Sequence, residues 1–216
     1  MRSGYTKYSW NNGGLSLIEV LVAAALSLML LGLFWTFLVP AFGYYVRGAA
    51  RAELQQSALV AGEKVVADLR RSAPGGISIR SAGTDSPTVL AVHPLETVTA
   101  DGTQVWSDQL TIYFWWASDG RLWAKKWPPG PPEAGFSVQS DKPIRVDEAT
   151  LLEVAQERNG TETMLAENVA RFEVVDAAPE PGISRPVTLT LEFEKETSSG
   201  PQRLTVSQDV FLRNSQ

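Results

Sequence analysis

Residues 20–39 pass without a single charge and are interrupted only by Ser27, Gly32 and Thr36. No other feature constrains this chain as strongly. As a helix rising about 1.5 Å per residue, the run is about 30 Å long, the thickness of a bilayer's hydrocarbon core. Glu19 stands at its entrance. A carboxylate at the edge of a span is costly, so it reads as a functional group whose partner has to be named. An ordinary secretory signal has an apolar core of about 7–15 residues and a small-residue cleavage pattern after it. Here the run is longer, no A-x-A pattern follows, and the glycines come before it. Residues 1–14 carry Arg2 and Lys7 and no acid, which favours a cytoplasmic N-terminus.

Gly14, Leu15, Ser16-Leu17-Ile18, Glu19 and the apolar helix behind them form a pattern that resembles the type IV pilin and type II secretion pseudopilin family. The resemblance implies cleavage between Gly14 and Leu15 by a membrane-embedded prepilin peptidase, followed by N-methylation of the new Leu15 amine. Leucine stands where phenylalanine is commoner. The implied partners are the lipid bilayer, other pilin or pseudopilin subunits and an inner-membrane assembly platform. The implied location is the bacterial cytoplasmic membrane, with the C-terminal domain extracytoplasmic and the subunit packed into a pilus or pseudopilus. Physical chemistry gives Glu19 a task in that setting. An unpaired ammonium on Leu15 close to the apolar phase is expensive, and a carboxylate from a neighbouring subunit neutralises it. The plainer alternative leaves Glu19 in the headgroup layer beside an unprocessed terminus.

The chain has 216 residues, no cysteine and a net charge of −5. Loss of residues 1–14 removes Arg2 and Lys7 and leaves −7. That balance lacks the basic stripe of a general nucleic-acid binder. Disulfide and thiolate chemistry are excluded, and the C-terminal disulfide loop of many pilins is missing. After a membrane helix, the length leaves one domain of roughly 140 residues, enough to bury its own core.

The expected order is a leader (1–14), a transmembrane and assembly helix (15–46), an amphipathic continuation (47–73) and a β-rich domain (74–216). Pro40 is expected to kink or briefly break the helix. Residues 41–72 return to helical period through Leu54, Ala58, Ala61, Val65 and Leu69, and Pro74-Gly75-Gly76 stops them. Strand signals follow at residues 88–94, 109–116 and 122–127. In the second, Leu110, Ile112, Phe114 and Trp116 share one face. Residues 150–157 and 161–165, joined at Asn159-Gly160, are expected to form a hairpin. Residues 168–176 read as a strand through Ala170, Phe172 and Val174. Val187, Leu189, Leu191 and Phe193 alternate with polar residues, and Leu204, Val206, Val210 and Leu212 form their partner face, with Gln208 as the exception. The whole predicts an α+β fold: a long N-terminal helix packed on an antiparallel sheet, as in pilins. The segment 65–71, with its Asp68-Leu69-Arg70, and the stretches 165–169 and 210–214 also resemble larger minor pilins and J- or W-type pseudopilins.

Catalytic chemistry is thin. His93 is the only histidine, and no serine and carboxylate are spaced with it as a triad. Asp141 with Asp147-Glu148 lacks the oxygen-rich spacing of a calcium loop. Asn159-Gly160-Thr161 fits a glycosylation sequon but reads equally as a turn, and no phosphate-cradling glycine loop occurs. No cofactor is expected. Trp106, Trp115, Trp116, Trp123 and Trp127 crowd into 22 residues. Either they are partner anchors, with Trp115, Trp123 and Trp127 the candidates, or they pack across strands within the domain. Since Trp115 and Trp116 point to opposite faces, at least one is expected at the surface. The expectation is a non-enzymatic assembly subunit. The rival is a single-pass anchored binding module that does not polymerise, and an anchored hydrolase comes third.

Overall fold

The computed structural model describes residues 16–81, 83, 86–130, 142–157, 160–176 and 186–212. The chain forms two compact units, Met1–Tyr45 and Val46–Gln216. One helix, α1 (Leu17–Arg70), runs through both. It continues across Pro40, so of the expected kink or brief break the break does not occur. A proline removes one donor from the ladder, while the intact turns on either side carry the helix past it. In the first unit the apolar side chains are uncovered: Trp35 is 63% and Phe37 75% exposed. Among the described residues this is the one helix long and apolar enough to cross a membrane.

The second unit is an α+β arrangement built on a five-stranded antiparallel sheet. Its strands are β1 (Ile77–Arg80), β2 (Thr88–Val92), β5 (Leu110–Trp116), β6 (Arg121–Trp127) and β7 (Thr163–Ala166), in the order β1-β2-β5-β6-β7. A small hairpin, β3 (Leu95–Val98) and β4 (Gln104–Trp106), follows β2. A three-stranded sheet has the order β10-β9-β8, from β8 (Val169–Asp176), β9 (Val187–Lys195) and β10 (Gln202–Val210).

Two cores lie on opposite faces of the larger sheet. Leu54, Ala58, Ala61, Val65 and Leu69, the stripe read from the helical period, are buried with Leu90, Tyr113 and Leu122 of that sheet and with Leu189, Leu191 and Phe193 of the smaller one. The other face buries Val89, Ala91, Leu110, Ile112 and Phe114 under Leu151, Val154 and Ala155. Those last three belong to a helix, α2 (Glu148–Gln156), where a hairpin strand was expected. The physical reason is local. Asp147 caps the segment by accepting the backbone N–H groups of Ala149 and Thr150 at 3.1 and 3.0 Å. The apolar positions then recur at three and four rather than two. The remaining half of the expected hairpin, β7, pairs with β6 instead.

Burial on both faces explains why β5 reads as an almost unbroken apolar run. It also buries Trp115, 7% exposed, while Trp116 at the end of the strand is half-buried and keeps part of its area at the surface. A second correction concerns β8. Its pairing with β9 slips between Val169 and Arg171, so Val169 and Phe172 are buried while Ala170 is exposed. A bulge of this kind turns one residue out of the alternation. The β9–β10 hairpin keeps the expected pattern, with Val187, Leu189, Leu191 and Phe193 buried and the polar partners outward.

Candidate functional site

The first turn of α1 is organised by two side chains. The backbone N–H of Ser16 donates to Oε2 of Glu19 at 2.8 Å, and the backbone N–H of Glu19 donates to Oγ of Ser16 at 3.3 Å. This reciprocal capping box satisfies two amides that helix geometry leaves without partners, and the carboxylate faces the positive end of the helix dipole. Ser16 was not singled out by sequence reasoning, yet the Ser-x-x-Glu spacing before an apolar run was the available signal. Oε2 is engaged in the cap; Oε1 has no hydrogen-bond partner among the described residues. Gly14 and Leu15 lie outside the described residues. Pro40 sits within the uncovered part of the helix.

The tryptophans divide between the two faces of the large sheet. Trp115 lies in the core beneath α1, and its indole N–H donates to the carbonyl of Val169 at 2.9 Å. Trp116, Trp123 and Trp127 pack beside the core under α2. Trp123 also donates to Oδ2 of Asp119 at 3.2 Å, in the turn that joins β5 to β6. Trp123 and Trp127 are half-buried and keep part of their area at the surface.

His93 is fully buried at a junction of chain segments. Its Nδ1 accepts the backbone N–H of Ile144 at 3.1 Å, which leaves Nε2 to donate to the carbonyl of Ser107 at 2.7 Å. The ring lies 5.5 Å from that of Trp106. Burial holds the imidazole below its ordinary pKa, and the bond to the Ser107 carbonyl opposes this in part. The arrangement serves a neutral ring that ties segments together.

Asp68, in the Asp68-Leu69-Arg70 stretch at the end of α1, is 5% exposed. Its Oδ2 accepts the Tyr113 hydroxyl at 2.6 Å and lies 3.4 Å from Nζ of Lys64. Burial, with the Asp68 carboxylate beside it, drives the Tyr113 phenol well above its usual pKa. Lys125 is buried over the Phe114 ring, its Nζ 5.7 Å from the centroid, and donates to the carbonyl of Glu157 at the end of α2. A cation at a helix C-terminus opposes the negative end of the dipole.

The folded unit also carries a cleft of about 310 Å³ beside β1, lined by Ile77, Ser78, Ile79, Arg145, Val146 and Asp176. The Arg145 guanidinium donates twice to the carbonyl of Pro74, at 3.2 Å through Nε and 2.7 Å through Nη2. Ser78 Oγ accepts the backbone N–H of Val146 at 2.8 Å. Asp147 of the considered calcium set is committed to capping α2, and Asp141 lies outside the described residues. Comparison with protein families, with curated proteins and with solved structures finds no match for this chain.

Proposed function

We propose that this chain is a minor pilin or pseudopilin, a non-catalytic structural or initiation subunit of a type IV pilus or type II secretion pseudopilus. The observation that carries the reading is the start of α1. A glycine–leucine junction is followed within two turns by a carboxylate that opens a charge-free, uncovered helix. Prepilin peptidase would hydrolyse the Gly14–Leu15 bond, release residues 1–14 and leave a free amine on Leu15. The Ser16 N–H remains an amide after that cut, so the capping box survives processing. Oε1 of Glu19 is then the oxygen open to a neighbouring subunit's ammonium. Pairing the two lowers the cost of holding either charge at the apolar boundary. The remaining partners are other pilin or pseudopilin subunits and an inner-membrane assembly platform. A separate ATPase would drive assembly, since the chain carries no nucleotide motif.

A second reading, a single-pass anchored binding module that stays unpolymerised, is favoured by the charged cleft beside β1. Processing separates the two. Intact-mass and N-terminal analysis of the membrane-extracted chain, with and without a prepilin peptidase, is expected to give a chain starting at methylated Leu15 only with the peptidase. Retention of residues 1–14 beside a correctly processed control substrate would overturn the assembly reading.

A further inference from the structure

The parity of β1 exposes a vacancy in hydrogen bonding. The backbone N–H of His93 donates to the carbonyl of Gly76 at 2.8 Å, so Gly76 and His93 form a hydrogen-bonded antiparallel pair. With Ile77 opposite Val92 and Ser78 opposite Ala91, alternation gives Ser78 and Arg80 the next bonds to β2. The carbonyl of Ile77 and both backbone polar groups of Ile79 therefore point away from β2. β1 is the outer strand of its sheet, and no partner for these groups occurs among the described residues. This outer edge, buried at Ile77 and Ser78 and half-buried at Ile79 and Arg80, is one wall of the cleft.

Two charges of opposite sign stand in the same cleft. Arg145 uses Nε and Nη2 on Pro74 and leaves Nη1 unengaged, while the exposed carboxylate of Asp176 has no partner among the described residues. Neither the backbone groups nor the charges are satisfied by an apolar ligand. Both are satisfied by a strand, whose main chain completes the ladder and whose alternate side chains carry opposite charges.

We propose that the β1 edge binds an extended segment of a partner protein, added as a sixth strand beside Ile79, with a basic side chain set against Asp176 and an acidic one against Arg145. This does not depend on the assembly reading, since the cleft lies wholly within the second unit.

The test uses the full chain in detergent micelles and a blocked, fluorescently labelled probe peptide, Thr-Lys-Val-Thr-Val-Glu-Thr. Saturable binding below about 1 mM is expected, with slowed hydrogen exchange at the Ile79 amide. Ile79→Pro removes the outward N–H together with the packing of the half-buried Ile79 side chain on the core, and is expected to weaken binding at least about ten-fold. Asp176→Lys changes an exposed side chain and carries the test if the proline variant fails to fold. It is expected to weaken this probe and to favour Thr-Glu-Val-Thr-Val-Glu-Thr. No saturable binding by the wild type, or equal affinity in Asp176→Lys, would overturn the proposal. So would displacement of the probe by free lysine, which marks a small-zwitterion site, or self-association lost in Ile79→Pro, which marks pairing between copies.

Discussion

Tyr113 and Asp68 show how much a single buried contact decides. The hydroxyl is the short-range partner of a carboxylate that is 5% exposed, with Lys64 beside it. Tyr113→Phe leaves that carboxylate under-satisfied, and urea denaturation is expected to show a loss of about 1–3 kcal/mol. Because the folded phenol titrates above the unfolded one, the native state holds its proton longer. The associated stability is complete below about pH 10 and is lost as pH rises beyond it. His93 has the opposite sign on the acid side. Its folded pKa is lowered, so the unfolded chain binds the proton first. Stability is complete above about pH 6.5 and falls as pH drops toward the folded value. Protonated Nδ1 also loses its capacity to accept the Ile144 N–H. Melting temperature followed from pH 8 to pH 5 is expected to decline in wild type and to flatten in His93→Gln.

Among the elements, α2 is the one whose identity changes the domain. As a strand it would have extended a sheet; as a helix it seals the second face. Leu151 is fully buried there, and Leu151→Ala is expected to cost about 2–5 kcal/mol by chemical denaturation. Leu59 lies on α1 but is 60% exposed, so Leu59→Ala is expected to stay within about 0.5 kcal/mol of wild type. Equal effects at the two positions would contradict the assignment of the second core. The element is also tied at both ends by titratable groups, a neutral His93 before it and Lys125 after it.

At the scale of the molecule, the division between Tyr45 and Val46 separates an uncovered apolar helix segment from a unit with two cores of its own. Removal of residues 1–45 is expected to leave a soluble chain with a cooperative thermal transition close to that of the full-length protein. The full-length chain is expected to resist alkaline extraction from membranes, and the shortened chain to stay in the supernatant. Loss of the cooperative transition on truncation would show that the second unit needs the first.

The apolar helix, its Glu19, the stripe from Leu54 to Leu69 and the alternation of β9 were readable from sequence because each rests on local periodicity or on charge set against solvent. The capping box was also local, and Ser16-x-x-Glu19 carried its signal. Tertiary structure alone decided which strand edges pair, that β7 joins β6, and that a bulge turns Ala170 outward. It also decided that Trp115 is buried and Trp116 half-buried, because a strand's two faces look alike in sequence until a layer arrives on each. The cleft beside β1 belongs to the same class. Ile77, Arg145 and Asp176 are far apart along the chain, and only the packed sheet brings an outer strand edge and two opposite charges to one place.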